Sequence, residues 1–111
     1  MKKLKGKKQI ERLFEEGASI TDFPLRLVYL ESENSGFGVS VGKRNFKLAV
    51  QRNRIKRQLR AAARDHLFHT INDTKRSYSF MAVYIGKNIP NWDEIGNKFK
   101  NVAKKIKQKN L

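Results

Sequence analysis

The sequence predicts an α+β domain with element order α-β-β-α-β-α. Three observations carry this. Two short strand-like runs, residues 25–31 and 36–41, flank a turn-rich link, and the second alternates apolar with small residues. A long stretch, residues 50–68, repeats its apolar residues at helical spacing. An apolar run of aromatic and branched residues, 78–85, is followed by a capped helical pattern to the end of the chain.

Each element has its own signal. Residues 7–16 read as a helix because Ile10, Leu13 and Phe14 fall at i, i+3 and i+4, and Gly17 is placed to end it. Residues 21–24 read as a connection. The strands over 25–31 and 36–41 are linked by Ser32-Glu33-Asn34-Ser35-Gly36, and the second sets Phe37, Val39 and Val41 against small residues. A basic loop over 42–48 leads into the long helix. Residues 72–77 form a polar connection, and residues 86–90 a turn after the third strand. Asn91 caps the last helix, with Asp93 and Glu94 in its first turn; Trp92, Ile95, Phe99, Val102 and Ile106 then recur at helical spacing, with Gly96 as a weak point. Residues 1–5 are expected to form a flexible basic tail. The length of 111 residues suits one domain over 1–111.

Charge narrows the function. A net +15 on a chain of this size favours a polyanionic partner over a small-molecule substrate. The cations are clustered: five lysines lie in residues 1–8, nine Lys or Arg in 43–64 without one Asp or Glu, and six lysines in 98–109. With no cysteine, disulfides, thiolate metal sites and cysteine catalysis are excluded. No apolar run is long enough to span a membrane and no signal-peptide pattern follows the basic N-terminus, so a cytoplasmic location is expected.

The densest cluster is also ordered. At about 100° per residue, Ile55, Leu59, Ala62 and His66 share one face, while Asn53, Arg57, Arg60 and Arg64 lie opposite, flanked by Arg54 and Lys56. Such a helix docks on a core by one side and offers guanidinium forks on the other, and these match phosphate oxygens in a bidentate way. The residues 42–45 before it can add backbone N–H donors. His66 is expected to pack and His69 to sit favourably near a helix C-terminus. No nucleotide-binding, HxxxH or DxD pattern occurs, and no protein active site or protein-held cofactor is expected. Phe14 is either core or a half-exposed stacking surface for an unpaired base.

The string AVxRNRxKRxxR, here Ala49, Val50, Arg52, Asn53, Arg54, Lys56, Arg57 and Arg60, resembles the hallmark of the protein subunit of bacterial ribonuclease P. Its setting is similar too: a strand end at Ser40-Val41 and a basic loop before it, an apolar strand after it, and an N-terminal helix ending in Leu13-Phe14-x-x-Gly17. The resemblance covers about residues 4–107. It implies a two-layer α/β sandwich, a mixed four-stranded sheet with three helices and a left-handed β-α-β crossover, against the usual hand. A fourth strand is then required, expected near Gly42 or just before Trp92. The implied function is removal of the 5′ leader from precursor tRNA by an RNA subunit that holds the active site and its Mg²⁺. Arg52, Asn53, Arg54, Lys56, Arg57 and Arg60 would face that RNA, with Arg64 continuing the row. Phe14, Ile10, Val28 and Lys43 would border the leader. The family often carries an aromatic where Ile10 stands. The implied partners are the catalytic RNA and the precursor's leader, with no membrane and no small-molecule substrate.

Three rivals share part of this pattern. A ribosomal-type RNA-binding protein would bind RNA without stimulating cleavage. A DNA-binding helix protein would prefer duplex DNA and usually dimerise. A membrane-surface protein would use its final lysine-rich helix on anionic lipid.

Overall fold

A computed structural model describes residues 3–4, 6–33 and 35–111. The elements are α1 (Lys7–Glu16), β1 (Ala18–Asp22), β2 (Leu25–Glu31), β3 (Gly36–Val41), α2 (Ala49–His66), α3 (Phe68–Asn72), β4 (Tyr78–Tyr84) and α4 (Trp92–Gln108). They form a mixed four-stranded sheet in the order β1-β2-β4-β3. β2 pairs antiparallel with β1 and with β4, while β3 runs parallel to β4 and reaches it through α2.

Strand alternation sends Leu25, Leu27, Phe37, Val41, Phe80, Ala82 and Tyr84 to one face of the sheet. There they meet Ile55, Leu59, Ala62 and Ala63 of α2 and Ile95, Phe99, Val102 and Ile106 of α4. The opposite face is covered in part by α1, whose Leu13 is buried with Leu4, Val28 and Met81. Helices therefore lie on both faces, with α1 as a partial third layer.

The fourth strand is β1, and neither expected location holds one. Its sequence, ASITD, buries only Ile20, so no run of alternating apolar residues announces it. It is held by partners instead: the register Ala18↔Tyr29 to Asp22↔Leu25 on one side, and polar side chains of α4 on the other. Lys98 Nζ lies 3.6 Å from the Asp22 carboxylate, Asn101 Nδ2 donates to the same carboxylate at 2.9 Å, and Lys105 Nζ donates to the Thr21 carbonyl at 3.2 Å. The expected connection over 21–24 shrinks to Phe23-Pro24, joined by a cis peptide bond.

The expected N-terminal tail is also partly ordered. Leu4 is buried, and its N–H donates to the Phe37 carbonyl at 3.1 Å, while Lys3 bridges to Phe37 at the free edge of β3. The rest of that tail, residues 1, 2 and 5, lies outside the described residues. The long basic helix breaks at Leu67, where the backbone swings so that Leu67, Thr70 and Ile71 enter the core, and α3 is a short fourth helix.

One glycine is required by close approach, and a second sits at a tight helix contact. A Cβ on Gly17 would sit 2.3 Å from the Leu13 carbonyl oxygen and 2.9 Å from Val28 Cγ1, so only glycine lets α1 end directly on the sheet. Gly96, which weakens α4 by propensity, is buried where α4 meets α2; a Cβ there would lie 3.2 Å from His66 Nε2. His66 is thereby a packing residue, as its face of the helix predicts. Asn91 caps α4 through Oδ1, which accepts from the N–H groups of Asp93 (2.9 Å) and Glu94 (3.2 Å).

Candidate nucleic-acid interface

The apolar side of α2 is fully committed: Ile55, Leu59, Ala62 and Ala63 are all at most 0% exposed. Asn53, Arg54, Arg57, Arg60 and Arg64 project from the rest of the helix into solvent. Among the described residues none of these four arginines has an ion-pair partner. A folded surface that leaves so many guanidinium groups uncompensated is suited to a polyanion, because phosphate removes the self-repulsion that the fold otherwise carries.

Arg52 differs. Its Nη1 donates to the carbonyls of Phe46 (2.7 Å) and Lys47 (2.9 Å), so it fastens the loop over residues 42–48 to the first turn of α2. Phe46 is buried in the core and stacks obliquely on Tyr84 at 6.0 Å. Asn45 Nδ2 donates to the Gly86 carbonyl at 3.3 Å, tying the same loop to the turn after β4. The Tyr84 hydroxyl donates to the Asn88 carbonyl across that turn. Burial first, and then the nearby Glu94 carboxylate, push the Tyr84 phenol above its ordinary pKa.

A groove of about 580 Å³ runs between α2, the β3 edge and α1. Lys56, Arg60 and Arg64 line it from α2 and Ile10 from α1, with Phe37 and Val39 from one face of the sheet and Met81 from the other, across the β3 edge. Phe68 closes it, meeting Phe37 edge to face at 5.0 Å and 74°. Cations beside apolar and aromatic side chains are chemistry that accepts a single nucleic-acid strand. A larger groove of about 980 Å³, between α1 and the ends of β2 and β4, is different in kind. It mixes Lys8, Arg12 and Arg76 with Glu31 and Glu33, and two of its cations are already paired, Arg12 with Glu16 (2.6 Å) and Arg76 with Glu31 (3.3 Å).

The residues expected to border a leader are not brought together. Ile10 lines the cationic groove. Phe14, one turn further along α1, is 44% exposed but does not line it. Val28 is 1% exposed beneath α1, packed in the cluster of Leu13 and Met81, and is a core residue here. Lys43 is exposed on the loop before α2, outside the groove. Sequence reasoning missed Phe37, Val39, Met81 and Phe68. A signal for Phe68 was present: Lys56, Arg60, Arg64 and Phe68 recur at intervals of four, one row on one side of a helix. Phe37 and Val39 were legible as strand residues only, since alternation assigns them to a face and not to a groove.

Among the described residues there is no group of three or more His, Asp or Glu placed to hold a metal ion, and no helix is long and apolar enough to cross a membrane.

Comparison with known proteins agrees with this architecture. Staphylococcus aureus RNase P protein superposes with a TM-score of 0.75 at 20% identity, covering 96% of each chain. RNase P protein from Thermotoga maritima does so with a TM-score of 0.75 at 17% identity, covering 95% of this chain and 97% of that one. In sequence, the ribonuclease P protein component of Porphyromonas gingivalis is 38% identical over 84 residues, 69% of this chain and 61% of that protein. The matched stretch thus spans about three-fifths of that relative's length. The ribonuclease P protein component of a Pseudanabaena species is 32% identical over 108 residues, 95% of this chain and 90% of its own. The family profile described as Ribonuclease P matches residues 1–107. On the four-stranded mixed sheet, the arginine-rich helix and these matches together, the chain belongs to the ribonuclease P protein family.

Proposed function

We propose that this chain is the RNA-binding protein subunit of a ribonuclease P and assists a catalytic RNA in removing the 5′ leader from precursor tRNA. The observation that carries this is the solvent-facing array of Arg54, Arg57, Arg60 and Arg64 on a helix whose other side is locked into the core. Asn53, Lys56 and the Nε and Nη2 groups that Arg52 does not use on the loop complete the RNA-facing set.

The leader runs in the cationic groove. Phosphates lie along Lys56, Arg60 and Arg64, and bases lie against Phe37, Val39 and Phe68, which line the same groove. Ile10 contributes apolar contact there without stacking, Phe14 extends the same flank of α1, and Lys43 supplies charge at the entrance to α2. Val28 acts indirectly, by seating α1. Arg60 and Arg64 belong to both the groove and the exposed side of the helix, so one row of side chains holds two polyanions near each other. The protein's contribution is positioning and charge neutralisation; bond cleavage and the Mg²⁺ it uses belong to the RNA. The cytoplasm is the corresponding location.

The test is cleavage of a 5′-extended precursor tRNA by a bacterial ribonuclease P RNA at low Mg²⁺, with and without this protein. Strong stimulation is expected. RNA binding without stimulation by the cognate RNA would refute the assignment and favour a ribosomal-type role.

A further inference from the structure

The six lysines of residues 98–109 do not act alike. Lys98 and Lys105 point to β1, where they hold Asp22 and the Thr21 carbonyl. Lys100, Lys104 and Lys107 lie on the other flank of α4, and all three are exposed. They fall at i, i+4 and i+7, one row about 10 Å long at 1.5 Å per residue. None has an Asp or Glu three or four residues away on the helix, and none has an ion-pair partner among the described residues. Like charges at this spacing destabilise a helix unless an anion sits on them.

The row belongs to the same layer as the arginine array. Gln58 Nε2 donates to the Pro90 carbonyl at 3.3 Å, His66 meets Gly96, and Thr70 lines a small cleft with Ile106 and Lys107. Residue numbers rise together along these contacts, so α2 and α4 run side by side in the same direction, and the lysine row begins where α2 ends. The row thus lies alongside the C-terminal end of α2, where the exposed Asp65 and Asp73 also stand. We infer that Lys100, Lys104 and Lys107 form a second phosphate-binding row, which engages the backbone of the same RNA that α2 binds. This rests on the RNA-binding reading of α2. An RNA backbone fits better than a lipid surface because an interfacial helix inserts an apolar face. The apolar residues Ile95, Phe99, Val102 and Ile106 of α4 are in the core. Its exposed Trp92 stands two turns before the row.

The experiment measures binding of the full chain to a bacterial ribonuclease P RNA across a salt series. One variant carries Lys100→Gln, Lys104→Gln and Lys107→Gln. A second removes equal charge elsewhere, by Lys7→Gln, Lys8→Gln and Lys87→Gln. A third carries Arg57→Ala and Arg60→Ala. With about 0.7–0.9 of slope per phosphate contact, the row variant should flatten the plot of log K against log salt by about 2. Near 0.15 M salt its affinity should fall roughly 10–100-fold. The charge-matched control should move the slope by less than half as much, and all variants should show unchanged far-UV dichroism. Equal losses in the row variant and the control would overturn the inference. So would an unchanged row variant beside a weakened arginine variant, which leaves the α2 reading intact. If neither variant loses affinity, both readings fail. Loss of binding to phosphatidylserine vesicles with RNA affinity retained would reassign the row to a membrane.

Discussion

Replacing Arg52 with Ala tests whether the RNR segment is wholly a binding surface. The guanidinium makes two hydrogen bonds to loop carbonyls, at 2.7 and 2.9 Å, and a charged donor is worth about 1.5–3 kcal/mol per bond when the acceptor is shielded. Shielding is uneven. The Lys47 residue is exposed and its carbonyl regains water, whereas Phe46 is 4% exposed and its carbonyl is held against the core. Counting only the second bond, and reducing it because Arg52 itself is half-buried, gives a loss of about 1–2 kcal/mol. For a chain of this size that is roughly 4–10 °C in Tm. Arg57→Ala is the comparison. It removes the same charge from an unpartnered side chain on a +15 protein, so it should be neutral or slightly stabilising. Thermal melting of both variants at one salt concentration, without RNA, separates the two roles. If Arg52→Ala melts together with Arg57→Ala, the clamp reading is wrong.

Two further outcomes follow from close packing and from burial. Gly17→Ala should destabilise by about 1–3 kcal/mol, because its Cβ would meet the Leu13 carbonyl and Val28 and lift α1 from the sheet; urea denaturation with an unshifted midpoint would contradict this. The Tyr84 phenol is raised above its usual value of 10.0, so the folded state holds its proton longer than the unfolded state. That contribution is complete below pH 10 and is lost as pH rises from there through the raised folded pKa, and Tyr84→Phe should show a smaller decline in Tm across that window than the parent chain.

Where side chains themselves carried the information, the fold was legible. The apolar rows of α2 and α4 and the alternation of Phe37, Val39 and Val41 in β3 reflect burial on one face, which periodicity reports directly, and Asn91 carries its own cap. β1 was not legible because it is fixed by what touches it, Lys98, Asn101 and Lys105, far along the chain. Gly96 shows the same divide without altering the expected helix: its propensity is a property of the isolated helix, whereas its place against His66 is tertiary. At the candidate site, the arginine array was read from the sequence, since a helix turns spacing into direction. The groove was not, because Phe37 and Phe68 meet through folding and Val28 passes beneath α1. Arg52 and Arg57 are indistinguishable as letters, and only the path of the loop before α2 divides them.

The strand order has a kinetic consequence. β4 is central, bonded to both β2 and β3, yet it follows the entire basic segment in the chain. The sheet therefore cannot close until nine cations with no acid among them have been gathered over one face of it. Loop closure of that length is slow in any chain, and here it is opposed by charge as well. Counter-ions that screen this charge should therefore raise the rate at which the native state is reached, an effect that refolding rates across a salt series would read.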